Sequence, residues 1–292
     1  MSPAQYFAAL FANPANLPTV PKVVQQLIQS FSRDDVSVDE IASMLAADPV
    51  LSAKTLRLAN SAYFHVSRSI GTVDDALRML GFVMVRNLVV GCGVTAAFKP
   101  MPGVDLPQFW RYSLHTAGSA RWLARAAGQN TDLAFMGGLM HGLGQLLMHA
   151  VHPDRMRPLD AECHVLAAER PEIELSTIGY HFGEVSAELA LRWKFPEEVT
   201  EPLRYCTSPL QADPPSPMAA VLHIAMWRAR VEALKLSSEE AGRSLPRKVA
   251  ESLDLPLVWL PDQATVGGDH PALEEPMPAL SVLCEGLESM LA

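Results

Sequence analysis

Apolar residues recur three and four positions apart along almost the whole of this 292-residue chain, and each run stops at a proline, a glycine or a capping side chain. That rhythm has the period of an α-helix, which places residues i, i+3, i+4 and i+7 on one face. Strands need alternation, and no alternating stretch of strand length stands out. The expected fold class is therefore all-α.

Pro18 and Pro21 introduce a helix whose apolar stripe is Val20, Val24, Leu27, Ile28 and Phe31. Ser37 and Glu40 have capping-box spacing, with Ile41, Met44 and Leu45 as the inner face behind them. Asp48-Pro49 starts the next helix, with Leu51, Thr55 and Leu58 inward, and Asn60-Ser61 ends it. Thr72, with Asp75 three residues on, opens a short helix that closes at Gly81. The most apolar helix is expected over 82–98, and Met101-Pro102-Gly103 breaks the chain between two sub-bundles. Further helices are expected over 107–127, 131–149, 163–170, 175–193, 196–206, 218–236, 247–253 and 280–291. Residues 261–278 read as a Pro- and Gly-containing linker.

Composition bounds the function. Hydrophobic residues make up 49% and charged residues 19%, enough to bury a sizeable core. A net charge of -9, with no long Lys/Arg run, disfavours nucleic acid as a partner. Cys92, Cys163, Cys206 and Cys284 lie far apart with no Cys-x-x-Cys pair, so reduced, buried thiols are expected. The N-terminus lacks the basic flank and apolar stretch of a signal peptide. The run 82–98 contains Arg86, Asn87 and two glycines and falls short of the roughly 20 apolar residues of a membrane span. A cytoplasmic location away from membranes is the expectation.

One segment carries chemistry. Gly138-Leu139-Met140-His141-Gly142-Leu143-Gly144 resembles the central motif of the HD phosphohydrolase superfamily. In those enzymes an apolar helix delivers a His-Asp pair to a divalent metal, which activates water for attack on phosphate. The N-terminal half sharpens the likeness. Leu17-Pro18-Thr19-Val20-Pro21, Asp48-Pro49, Leu56-Arg57-Leu58-Ala59-Asn60-Ser61-Ala62 and Ala76-Leu77-Arg78-Met79-Leu80-Gly81 occur in the order seen in the HDOD family, an HD-related, all-helical signalling domain. The resemblance covers roughly residues 10–235. It implies a lead-in over 1–16 and an HDOD domain over 17–207. Within that domain, a short-helix bundle at about 17–100 would pack on an HD-like bundle at about 104–207. A helical extension over 208–260 and a tail over 261–292 would follow.

Matched to the HD pattern, Tyr112 stands where a catalytic relative places a ligand His, and His115 is not the matching position. His141 matches the central His, Gly142 stands where the ligand Asp belongs, and His181 matches a His that catalytic relatives keep. Tyr205-Cys206 stand where relatives often carry a His pair. The resemblance thus implies vestigial HD positions at Tyr112, His141, Gly142 and His181, with no catalytic residue, metal or cofactor. Each retained His also has a plain reading as a hydrogen-bonded core residue. His149 and His152 read as cations at a helix C-terminus. Asn60 and Ser61 are helix-end residues with a possible partner role. Arg121 and Arg125, four apart, could hold an acidic ligand such as a cyclic dinucleotide phosphate, though a solvated helix face explains them too.

The function expected from the resemblance is non-catalytic bacterial signal transduction through contact with other signalling proteins, in a pathway linked to cyclic-di-GMP or related to it. One alternative is a divergent metal-dependent phosphohydrolase, with Glu184 or Asp132 as replacement ligands. Another is a sensor that holds a nucleotide in the vestigial pocket. Should the tail be ordered, Leu280, Val282, Leu283 and Leu287 are expected to dock on a groove and occlude it.

Overall fold

In the computed structural model, residues 2–14, 17–32, 38–46, 48–61, 64, 66, 68–255 and 277–290 are described, and among them every regular element is helical. Ser37 and the 261–276 part of the expected linker lie outside the described residues. Among the described residues no helix is long and apolar enough to cross a membrane.

The N-terminal half packs short helices whose ends follow the capping chemistry. After α1 (Pro3–Ala12), α2 (Lys22–Gln29) buries Val23, Val24, Leu27 and Ile28. Following α3 (Val38–Ala46), α4 (Pro49–Ala59) starts at Asp48, whose carboxylate accepts from the N–H groups of Val50 and Leu51. α5 (Val73–Leu80) is capped by Thr72, which accepts from Asp75 N–H. It ends at Gly81, whose φ of 82° suits a residue without a Cβ. α6 (Phe82–Ala96) is buried on nearly all sides and forms the wall on which both halves of the molecule pack.

The second half is built on α7 (Leu106–Ala126). It lies along α8 (Thr131–Met140) and along α14 (Pro217–Ala233), which returns to pack on it. α9 (Leu143–Val151), α12 (Phe182–Arg192) and α13 (Glu197–Tyr205) close that bundle. α10 (Pro153–Glu162) and α11 (Arg170–Ile178) lie on its flank. The peripheral α15 (Ser238–Arg243) and α16 (Arg247–Ser252) follow, then the docked C-terminal α17 (Leu280–Leu283).

Several expected helices differ from those observed. The one expected over 131–149 is two, α8 and α9, broken at His141-Gly142, because the two-glycine segment lets the chain turn against α12. A Cβ on Gly144 would run into the Phe182 carbonyl. The one expected over 175–193 is also two, because Gly179 at φ 83° ends α11 and His181 caps α12. Residues 163–169 are turns, and α11 begins at Arg170 with Pro171 in its first turn. α1, α10 and α15 were not expected. α10 buries only Met156 and Leu159 and carries Pro158 inside, so its apolar signal is thin.

Candidate functional site

The segment that resembles the HD motif lies at the centre of the second bundle. His141 is buried at the C-terminal end of α8. Its Nδ1 lies 2.7 Å from the Gly138 carbonyl, an acceptor, so Nδ1 carries the proton. Burial, with the charge of Arg230 acting in the same direction, holds its pKa at about 4, so the ring is neutral at pH 7. Tyr112 on α7 meets it edge-on, with ring centroids 5.1 Å apart, and Phe182 lies against its other side at 6.5 Å. Ser186 on α12 staples the break between α8 and α9: its hydroxyl donates to the His141 carbonyl and accepts from Gly144 N–H, both at 2.7 Å.

Gly142 supplies no donor atom, and the space for a side chain is taken. A Cβ there would lie 2.9 Å from Phe109 Cζ and 3.1 Å from Cε2. His181 does not turn its Nδ1 toward His141. It is the N-cap of α12: Nδ1 accepts from Gly183 N–H at 3.1 Å, and the Glu184 carboxylate accepts in return from His181 N–H at 2.9 Å. Its Nε2 lies 3.4 Å from Thr207 Oγ1. Burial lowers its pKa, with Glu184 pulling the other way. The Phe182 ring touches both imidazoles.

The proposed replacement ligands do not converge on His141. Glu184 is occupied in the cap, and Asp132 sits at the opposite end of α8, with Arg121 Nη2 3.9 Å away. Among the described residues, no three His, Cys, Asp or Glu side chains are gathered as a metal-ligand set. The bond from His141 Nδ1 leaves its Nε2 as one free donor, but with the carboxylate position a glycine, His181 Nδ1 engaged as an N-cap and no three-donor set gathered among the described residues, the donors do not fit the divalent ion that HD hydrolases hold.

A cation of the chain's own stands in this neighbourhood. Arg230 on α14 lies against the buried Tyr112 hydroxyl, and its charge lowers the pKa of both His141 and His223. Its Nε donates to the Leu166 carbonyl at 2.7 Å, and among the described residues no carboxylate pairs with it. His223 Nδ1 lies 2.8 Å from the Cys206 carbonyl, while burial lifts the Cys206 thiol to about 12. Tyr112 Oη also donates to the Met226 carbonyl at 3.4 Å. Sequence reasoning missed Arg230 and His223. The readable signal was their sevenfold spacing, which puts both on one face of α14 with Met226.

The remaining singled-out residues lie elsewhere. Asn60 caps α4 and ties it to the loop before α5. Its Oδ1 accepts from Ile70 N–H at 2.7 Å, and its Nδ2 donates to the carbonyls of Leu56 and Ile70, both at 2.8 Å. Ser61 follows it, half-buried. Arg121 is half-buried against α8 and Arg125 is exposed. His149 lies in the last turn of α9, the helix-end position expected, but its side chain is also held from outside that helix. It is buried, with Nδ1 2.7 Å from the Gln145 carbonyl and Nε2 3.1 Å from Asp160, part of an ionic network that the spacing of single residues could not reveal. Leu17, Pro18 and Thr19 of the N-terminal motif line a cavity of about 490 Å³ against Phe98, Met101 and His149.

Comparison with known proteins places this geometry. A candidate phosphohydrolase from Shewanella amazonensis SB2B superposes with a TM-score of 0.74 at 28% identity, covering 98% of each chain. A candidate signal transduction protein from Marinobacter aquaeolei VT8 superposes at 0.65 and 27% identity, covering 82% of this chain and 54% of that one. An HDOD domain protein of unknown function from Geobacter sulfurreducens shares the fold at 0.62 and 23% identity, covering 78% of each chain. An uncharacterized protein of Treponema pallidum (strain Nichols) is 26% identical over 196 residues, and the match spans 65% of this chain but only 37% of that relative. The HDOD domain matches residues 17–209, about two thirds of the sequence, and the chain belongs to the HDOD domain family.

Proposed function

We propose that this protein is a non-catalytic regulator that acts by contact with other signalling proteins. The observation that carries the reading is Gly142: the position at which an HD hydrolase grips its metal has no donor, and Phe109 fills the room for one. The Arg230 charge beside His141 and Tyr112 supports it, because a fixed cation repels a second one. Membership in the HDOD family and the similarity to a candidate signal transduction protein agree with a regulatory role. A pathway linked to cyclic-di-GMP is the context we favour.

The similarity to a candidate phosphohydrolase sets the test. Purified protein, loaded in turn with Mg²⁺, Mn²⁺ and Zn²⁺, is assayed against nucleotides and cyclic dinucleotides. The expected result is no turnover above the metal-only background. Hydrolysis at about 1 per second or faster, the low end of ordinary enzyme rates, and lost in a His141→Ala variant, would overturn the proposal.

A further inference from the structure

The cavity of about 490 Å³ lies at the seam between the two halves of the molecule, and its volume is within the range of small-molecule sites. Neither His141 nor Gly142 lines it. The N-terminal half supplies Leu17, Pro18 and Thr19 ahead of α2, and the connector that follows α6 from Phe98 to Pro102. The second half supplies Leu147, His149 and Ala150 from α9. Thr19, Lys99 and Ala150 are exposed, so the cavity opens to solvent beside them.

Its walls are held from behind. Phe98 is buried, and its ring meets Trp110 and Trp193 edge-on, with centroids 6.1 and 6.5 Å away. The same Trp193 donates from Nε1 to the Pro18 carbonyl at 3.2 Å, so one indole fixes two walls. His149 is anchored to the Gln145 carbonyl and to Asp160, which Arg170 holds in turn. Gly103, at φ 85°, lets the connector close over that pair: a Cβ there would lie 3.1 Å from Asp160 Oδ2. Walls fixed in advance leave little to be ordered when a ligand enters.

The charge of the lining is one-sided. It contains Lys99 and no carboxylate, and among the described residues no hydrogen bond or ion pair engages the Lys99 ammonium. The cavity of about 640 Å³ on the other side of Phe98 differs, because its Lys54 and Arg111 are matched by Asp105 and Glu288 in the same lining. The C-terminal segment borders that second cavity. Of its four apolar residues expected to dock, Leu280 and Leu287 are buried, Leu283 is half-buried and Val282 is 60% exposed. One unpaired cation over apolar walls suits a monoanion with a hydrocarbon body; a phosphate dianion calls for more donors than this lining offers.

We propose that the seam cavity is a binding site for a small apolar monocarboxylate, whose hydrocarbon body lies on Phe98, Met101 and Leu147 and whose carboxylate pairs with Lys99. Because both halves of the molecule line it, the ligand bridges them and stabilises the arrangement in which they pack. The inference goes beyond the regulatory reading and does not need it.

Octanoate and phenylacetate are the probes, and phenylacetamide is the uncharged control. Each is titrated into the full chain by calorimetry, with the Met101 methyl resonance read in parallel by NMR. Both acids are expected to bind with a Kd of about 1 mM or tighter and to shift Met101, and the amide is expected to bind about tenfold more weakly than phenylacetate. Lys99→Met should abolish that preference and Lys99→Arg should keep it; the side chain is exposed, so neither variant disturbs the core. Ala150→Trp, at an exposed position of the wall, should fill the cavity and remove binding of acid and amide alike. Silence from both acids up to about 10 mM would overturn the proposal. So would equal affinity for acid and amide, or a preference that Lys99→Met leaves unchanged. Binding that survives Ala150→Trp would place the ligand elsewhere and overturn it as well. No metal or nucleotide enters these titrations, so the hydrolase assay judges the regulatory reading separately.

Discussion

The ring of Phe109 on α7 stands 2.9 Å from where a Cβ on Gly142 would lie, so the missing carboxylate of the HD motif is missing in volume as well as in chemistry. Restoring the motif residue alone is then a strained change. Gly142→Asp is expected to destabilise the protein by about 2–4 kcal/mol, from overpacking against Phe109 and from burial of a carboxylate without a built partner. Urea unfolding measures the loss, and elemental analysis after dialysis against Mn²⁺ or Zn²⁺ is expected to find no stoichiometric metal. A stable Gly142→Asp protein holding one metal per chain would show that Phe109 yields easily and that the site is one substitution away from a hydrolase.

Arg230 supplies the positive charge in this region. It lies beside Tyr112, depresses His141 and His223, and is anchored to the Leu166 carbonyl. Arg230→Met is expected to raise the titration points of both histidines, while desolvation, the larger cause, still holds them below the ordinary value near 6.5. The lost bond to Leu166 is expected to cost about 1–3 kcal/mol, since a charged donor is removed from a buried carbonyl. NMR titration of the imidazole resonances checks the first effect and chemical denaturation the second. Unmoved histidine titrations would mean that the Arg230 charge is screened from them.

The parts of this molecule legible in the sequence are those set by local chemistry. Asp48, Thr72 and Gly81 announce helix ends because a cap needs only its own few residues. The family motifs and the inward face of Leu280 and Leu287 were readable for the same kind of reason. What was not legible depends on residues far apart in the chain. The break between α8 and α9 depends on the Phe182 carbonyl and Ser186 across the bundle, and the role of His181 depends on how α11 stops at Gly179. Arg230 meets Tyr112 across more than a hundred residues, and no spacing rule joins them.

Acid is expected to weaken the fold over a defined window. His115, His141, His152, His181 and His223 all have folded-state values below the ordinary 6.5, with burial as the main cause. Each therefore binds its proton more readily in the unfolded chain. Their stabilising contribution is complete above about 6.5 and is lost as pH falls toward the folded values, near 4 for His141. For His141 that gap corresponds to about 3 kcal/mol. Glu174, raised by burial, works in the opposite direction at the acid end. His141→Asn, whose amide can donate to the Gly138 carbonyl in place of Nδ1, is expected to flatten the fall of stability between pH 6.5 and 4 by up to about one proton's worth of slope. Urea midpoints measured across that range check it, and an unchanged slope would place the acid sensitivity in the other histidines.

The ionic network near the HD-like segment holds four helices together and should behave as a unit. Arg170 and Glu174 are both fully buried, with Arg170 Nε donating to Glu174 Oε1 at 2.9 Å. Arg170 also donates to Asp160 at 2.8 Å and to the Cys163 carbonyl at 2.7 Å, and Asp160 lies 3.1 Å from His149 Nε2. Glu174 accepts further bonds from Phe182 N–H at 2.9 Å and from the Gln145 side chain. The network thereby connects α9, α10, α11 and the start of α12. Glu174→Ala removes the carboxylate but leaves the Arg170 guanidinium buried, which is expected to cost about 3–5 kcal/mol. With Glu174 already gone, Arg170→Met is expected to cost less than in the intact protein, with a coupling of about 1–3 kcal/mol, because the charge it removes no longer has its fully buried carboxylate partner. Urea unfolding of the two single variants and the double variant closes the cycle. Strict additivity would show that Asp160 and the Cys163 carbonyl satisfy Arg170 without Glu174, and that the buried pair contributes little to joining the helices.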